Sequence, residues 1–183
     1  MQVESEDEME NLIIYKSTYG HAKKYAFWLQ KILKCPMVDL IKIEGEEKID
    51  IAKYDRIIFI CGVYSLNLPI VTFIRDNYEL IKNKSIYILA VGLADKDEEY
   101  LEKLKKRNRI EDFKVFYAFG GWPGEDMTIT DKTAMKIMAD VRGFLEKDFK
   151  YWQKIASKYK RKPVDLTSKD QLEELVNDIK NEK

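Results

Sequence analysis

Six residues, Ser17-Thr18-Tyr19-Gly20-His21-Ala22, join an apolar run to a helical pattern. Hydroxyls beside the free N–H groups of a helix start make an anion site. A phosphate monoester suits it, with neutral donors on its oxygens while Lys16, Lys23 and Lys24 raise the local potential. Three more stretches combine glycine with small or aromatic residues where an apolar run stops: Gly62-Val63-Tyr64-Ser65-Leu66-Asn67, Gly92-Leu93-Ala94-Asp95 and Gly120-Gly121-Trp122. Other phosphate chemistry is poorly served, because the chain has neither the G-x-G-x-x-G of a dinucleotide site nor the G-x-x-x-x-G-K-[ST] of a nucleotidase loop. The single histidine and the isolated Cys35 and Cys61 build no zinc site and no disulfide framework.

The elements that must carry these loops follow from periodicity. Leu12–Tyr15, Tyr54–Cys61, Ser85–Val91 and Lys114–Phe119 read as strands, the second apolar enough to be buried on both faces, and Val38–Ile43 alternates like a half-buried strand. Helical spacing runs through Ala22, Tyr25, Ala26, Leu29, Ile32 and Leu33. A second helix is led by Pro69 and runs to about Ile81, proline being suited to a first helical turn. A third opens on Asp95–Glu99 and closes on Lys103–Arg109, acid first and base last as the helix dipole favours. After Gly121 the alternation stops. Helical sequence is expected from about Asp131 to Tyr159 with a break near Gly143, and Ser168-Lys169-Asp170-Gln171 reads as a capping box for a last helix to about Lys180. Strands alternating with helices predict an α/β fold, a doubly wound, five-stranded parallel sheet. In such sheets ligands bind at the carboxyl ends of the strands. A receiver domain shares this sheet but needs acids after its first strand, where this chain has Lys16-Ser17-Thr18.

The whole chain bounds the rest. Its 183 residues suffice for one domain with a real core, expected over 11–183 behind an acidic tail, 1–10. With 32 basic and 32 acidic residues there is no global field for nucleic acid. The longest apolar run, Ile57–Tyr64, is far below the roughly 20 residues of a membrane span, and the acidic N-terminus is unlike a signal peptide, so the expectation is a cytoplasmic protein.

The Ser17–Ala22 loop, between its strand and helix, resembles the phosphate loop of flavodoxins: a hydroxyl residue, a variable one, Thr or Tyr, Gly, a variable one, and Thr. Tyr-Gly-His followed by Lys-Lys-Tyr-Ala is most similar to the small flavodoxin-like proteins that include the protoporphyrinogen-oxidase type. The resemblance implies sheet order 2-1-3-4-5, with a helical insertion over about 122–162 before the last helix. It implies FMN as cofactor, with Ser17, Thr18, Tyr19, Gly20, His21 and Ala22 at the phosphate. Gly62, Val63, Tyr64 and Ser65 are expected on one side of the flavin ring, with Tyr64 on its face. Gly92, Leu93 and Ala94 fall on the other side, and Gly121 and Trp122 near the open edge. Ala22 departs from the pattern, and a lost side-chain bond to a charged phosphate costs about 1.5–3 kcal/mol. The implied activity is electron transfer or a small flavin oxidoreductase reaction, with a redox partner protein or a small-molecule substrate.

Blander readings stand beside these. His21 is either a titrating phosphate contact or an exposed loop residue, Cys61 a small core hydrophobe, Tyr25, Phe27 and Trp28 packing residues, and Trp122 a turn brace. The run 147–162 carries seven Lys+Arg against one Asp, interleaved with aromatics. It reads as a solvated helix face, or alternatively as a membrane-surface segment of a quinone-linked reductase. The rival from another class is a flavodoxin-fold interaction module that has lost FMN. Ala22 and the non-aromatic third loop favour the rival. The Ser17-Thr18 hydroxyls oppose it, as do Gly20, Gly62 and Gly92, read as loop positions kept open for a ligand.

Overall fold

A computed structural model describes residues 9–43, 49–131, 133 and 162–182. The acidic stretch 1–8, the helical stretch expected beyond residue 133 with its break at Gly143, and the basic-aromatic run 147–161 lie outside the described residues.

The apolar runs become strands β1 (Asn11–Lys16), β2 (Met37–Asp39), β3 (Arg56–Gly62), β4 (Ser85–Gly92) and β5 (Lys114–Phe119). They form one parallel sheet in the order β2-β1-β3-β4-β5, the expected flavodoxin-like topology. The register sets Lys16 beside Cys61, Cys61 beside Ala90 and Ala90 beside Tyr117, so the loops after β1, β3, β4 and β5 leave from one edge. Helices α1 (His21–Leu33) and α5 (Glu173–Asn181) cover one face, where Tyr25, Leu29, Leu175 and Ile179 meet Ile13, Ile58, Ile60 and Leu89. Helices α2 (Val71–Asp76), α3 (Tyr78–Ile81) and α4 (Glu98–Asn108) close the other, where Ile70, Ile74, Ile81 and Leu104 pack on Leu12, Ile14, Phe59 and Ile88. Residues Ile57–Cys61 of β3 are buried on both faces, as an inner parallel strand must be.

Three expectations change and one pairing is added. β2 is short, because the Asp39 carboxylate accepts the Ile41 N–H and the Lys42 N–H returns to Asp39 O, turning the chain where alternation predicted strand. Pro69 stands in a turn closed by Val71 N–H to Leu68 O, and Asn77 splits the following helix as its side chain donates to Phe73 O. The capping box is half formed. Ser168 Oγ accepts from Asp170 N–H, but Gln171 reaches away, accepting Phe119 N–H at 2.6 Å and donating to Leu166 O, and a 3₁₀ turn (Lys169–Leu172) precedes α5. Finally, β6 (Gly121–Trp122) and β7 (Val164–Asp165) pair antiparallel, bringing the start and end of the inserted segment together.

Candidate ligand-binding cleft

The loop after β1 is folded by its own residues. The Gly20 N–H donates to Ser17 Oγ at 3.1 Å, and Gly20, at φ 88°, is the N-cap of α1 with no side-chain cap bond. That φ is left-handed, which glycine reaches without the steric cost of a Cβ. The first amides of a helix have no carbonyl partner within it. With no acid in the first turn of α1, they and the helix dipole leave a positive end facing the loop. Ser17 accepts with its oxygen and keeps its proton to donate.

The loop after β3 reverses tightly. Tyr64 and Asn67 exchange backbone bonds at 2.9 and 2.8 Å, with Ser65 (φ 50°) and Leu66 (φ 63°) both left-handed, as a type I′ turn requires. Buried Asn108, at the end of α4, holds this turn: its Oδ1 accepts Leu68 N–H at 2.9 Å and its Nδ2 donates to Leu66 O at 2.7 Å. Tyr64 lies back over Gly62, whose absent Cβ would sit 3.0 Å from the ring. Burial pushes the Tyr64 phenol up, and a hydrogen bond with the Thr18 hydroxyl works against that shift.

After β4, a Cβ on Gly92 would lie 2.5 Å from Tyr117 Oη. The same hydroxyl accepts the Ala94 N–H at 2.7 Å, so Ala94 is buried behind the wall with its donor engaged. After β5, Gly120 N–H donates to Gly92 O at 2.7 Å. His21 lies against Gly121, where a Cβ would be 2.0 Å from His21 Nε2 and 2.4 Å from Val164 O. The imidazole is half-buried, and burial lowers its pKa, with Asp165 opposing the shift and Lys24 adding to it.

These loops enclose a cleft of about 160 Å³ at the carboxyl edge of the sheet. Of the residues expected from sequence, Ser17, Thr18, Tyr19, His21, Ala22, Gly62, Val63, Tyr64, Ser65, Gly92, Leu93, Gly121 and Trp122 line it. Gly20 shapes the loop without lining the cleft, and Ala94 stands behind it. Val91, Gly120, Pro123, Met127 and Asp131 also line it, although sequence reasoning did not select them as site residues. Asp131 had a signal, the Thr128-x-x-Asp131 pattern of a helix start, and Thr128 Oγ1 accepts the Asp131 N–H at 3.1 Å. Cys61 is buried and its thiol is pushed up to about 12, so it stays protonated core.

Two observations suit the cleft to an anionic guest that also carries a hydrogen-bond acceptor. Uncapped amides of α1 face the loop that forms one wall. In another wall Trp122 is 7% exposed, and its Nε1 has no acceptor among the described residues. A buried orphan donor of this kind costs about 1–3 kcal/mol. The glycines say less than the sequence suggested, since Gly62, Gly92 and Gly121 each answer a contact inside the chain.

The profile of the flavodoxin domain family matches residues 12–146. No curated protein matches the chain. Among solved structures, a flavoprotein in complex with FMN from Lactobacillus acidophilus NCFM is 17% identical, with a TM-score of 0.45 over 61% of this chain and 93% of that one. The Trp repressor binding protein from Bacillus subtilis is 16% identical, with a TM-score of 0.45 over 61% and 83% of the two chains. A flavodoxin of Streptococcus pneumonia TIGR4 is 15% identical, with a TM-score of 0.37 over 60% and 81%. Likenesses at this level carry no argument about what this chain binds, and the family match does not extend to the protoporphyrinogen-oxidase type.

Proposed function

Because this chain belongs to the flavodoxin domain family, we propose that its cleft holds FMN and that the protein is a flavin redox protein. The observation that carries this reading is the uncapped start of α1, which turns its free amides to the cleft across the Ser17–Ala22 loop. Ser17, Thr18, Tyr19, His21 and Ala22 would hold the phosphate end, with Ser17 Oγ and the amides of the first turn as donors. Gly62–Ser65, Gly92–Leu93 and Trp122 would surround the ring.

When bound, FMN supplies the electron or hydride transfer itself, so no acid or base of the chain is required. The chain's part is to fix the cofactor's position and keep water from it. Tyr64 and Trp122 provide apolar bodies with polar tips. Electrons would pass between the flavin and a redox partner protein or a small-molecule substrate. The alternative, a flavodoxin fold without flavin, gains from Ala22 and from the intrachain reasons for the glycines. It leaves the amides of α1 and the Trp122 indole without a role.

A thermal melt tests the proposal. FMN at about a hundred times its Kd adds about 2.7 kcal/mol to a protein that binds it only when folded. For a chain of this size that raises Tm by about 5–10 °C. An unmoved melt at every FMN concentration would contradict it.

A further inference from the structure

We infer that the neck of the inserted segment is part of the phosphate site, and that Tyr19 and Asp131 are positioning residues for a phosphate monoester held on the Ser17–Ala22 loop. This rests on the reading of the cleft as an FMN site. The inserted segment leaves the sheet and returns to it through the β6–β7 pair, with Gly121 opposite Asp165 and Trp122 opposite Val164. Both sides of that neck grip the same stretch. On the outgoing side, Tyr19 Oη donates to the Asp131 carboxylate and accepts the Thr128 N–H at 3.1 Å. On the returning side, Lys24 forms an ion pair with Asp165, and between them the His21 ring packs against Gly121.

From within, the loop is closed by the Gly20 N–H to Ser17 Oγ bond and pivots on a left-handed glycine, the residue with the widest backbone freedom. A side chain anchored from outside removes some of that freedom before a ligand arrives, and preorganisation of this kind appears as affinity. The Tyr19–Asp131 bond thus sets the direction of the amides that meet the phosphate. It also explains why Asp131, an anion, lines a cleft read as a phosphate site: its carboxylate is engaged by the Tyr19 hydroxyl, while its backbone N–H donates to Thr128 Oγ1 at the start of the helical turn. Trp122, the orphan indole donor, stands in the same neck, which independently marks this wall as one that meets a ligand.

The brace acts on the groups facing the phosphate, so the affinity ratio of FMN to riboflavin, which lacks the phosphate, isolates it. Fixing one backbone residue corresponds to roughly a tenfold change in affinity. Tyr19→Phe is therefore expected to weaken FMN about tenfold and leave riboflavin unchanged. Asp131→Ala should match it, and the double variant should be no worse than either single one, as partners in one contact behave. Asp131→Asn keeps an acceptor for Tyr19 and should hold FMN nearly as the wild type does.

Equal losses for both flavins, or an unchanged FMN affinity in Tyr19→Phe and Asp131→Ala, would overturn the inference. Tighter FMN binding by Asp131→Asn would overturn it too, because the phosphate would then be sensing the charge and not the brace. A wild type that binds riboflavin as tightly as FMN would remove the phosphate from this loop while leaving a flavin in the cleft. A wild type that binds neither would remove the flavin reading and this inference with it.

Discussion

At Gly121 a single methyl group would meet both the His21 ring and the Val164 carbonyl, so the glycine pair after β5 is demanded by the chain's own packing. Gly121→Ala should destabilise the protein by about 1–3 kcal/mol, the usual cost of overpacking. His21→Ala in the same chain should restore part of it, since Val164 O still stands 2.4 Å from the new carbon. Urea midpoints of the two variants check this, and a Gly121→Ala variant as stable as the wild type would contradict the geometry. At this scale the Ser17–Ala22 loop was readable, because hydroxyls and glycine between an apolar run and a helix are a local pattern. The reasons for Gly62, Gly92 and Gly121 were not. Gly92 is set by a tyrosine 25 residues further on and Gly121 by a histidine a hundred residues before it, and spacing carries neither contact. Sequence reasoning read Gly62 and Gly92 as room for a ligand; the structure shows that room filled by Tyr64 and Tyr117.

The elements were easier where burial alone decides. Four of the five strands were readable from β-branched or aromatic apolar runs that stop at a polar or small residue, and their register follows from parallel pairing. What failed was local side-chain chemistry: Asp39 ending β2, Asn77 splitting α2 from α3, and Gln171 leaving its capping box for Phe119. Asn108 belongs to the same class. It ends a helix whose composition is dominated by charge, and nothing in its spacing shows that it staples the Tyr64–Asn67 turn. Asn108→Ala would leave the buried Leu68 N–H and the part-buried Leu66 carbonyl without their partner, at a cost of about 1–3 kcal/mol. A drop of that size in denaturant stability is the expected outcome, and a change below about 0.5 kcal/mol, that of an ordinary surface substitution, would show that the turn holds itself.

The molecule has two unlike ends. At the carboxyl edge of the sheet the loops open as the cleft, while at the opposite edge the end of α5 closes it. Glu182 accepts from Arg56 Nε at 3.0 Å, Ser85 Oγ at 2.6 Å, Tyr87 Oη at 2.8 Å and Lys114 Nζ at 3.1 Å, and Asp178 takes a second Lys114 bond at 2.9 Å. Burial of Glu182 opposes its ionisation, but these donors together hold the carboxyl down at about 2 from an ordinary 4.5. Lys114 likewise lowers Asp178. Because the folded carboxylates stay ionised where the unfolded ones take up protons, the stability they contribute is complete above about pH 4.5 and is lost as pH falls toward 2. Urea denaturation through that window should show a falling limb, and Glu182→Gln should flatten it. An unchanged limb in Glu182→Gln would place the acid sensitivity elsewhere. Among the described residues no helix is long and apolar enough to cross a membrane.

The central claim is that the Ser17–Ala22 end of the cleft holds the phosphate of FMN. The most direct test is a titration of the purified wild type and of Ser17→Ala with FMN, following the quenching of flavin fluorescence. Saturable quenching by the wild type, with a Kd weaker by about one to two orders of magnitude once the Ser17 hydroxyl is gone, is the predicted result. Fluorescence that stays that of free FMN at every protein concentration, or equal affinity in the two proteins, would contradict it.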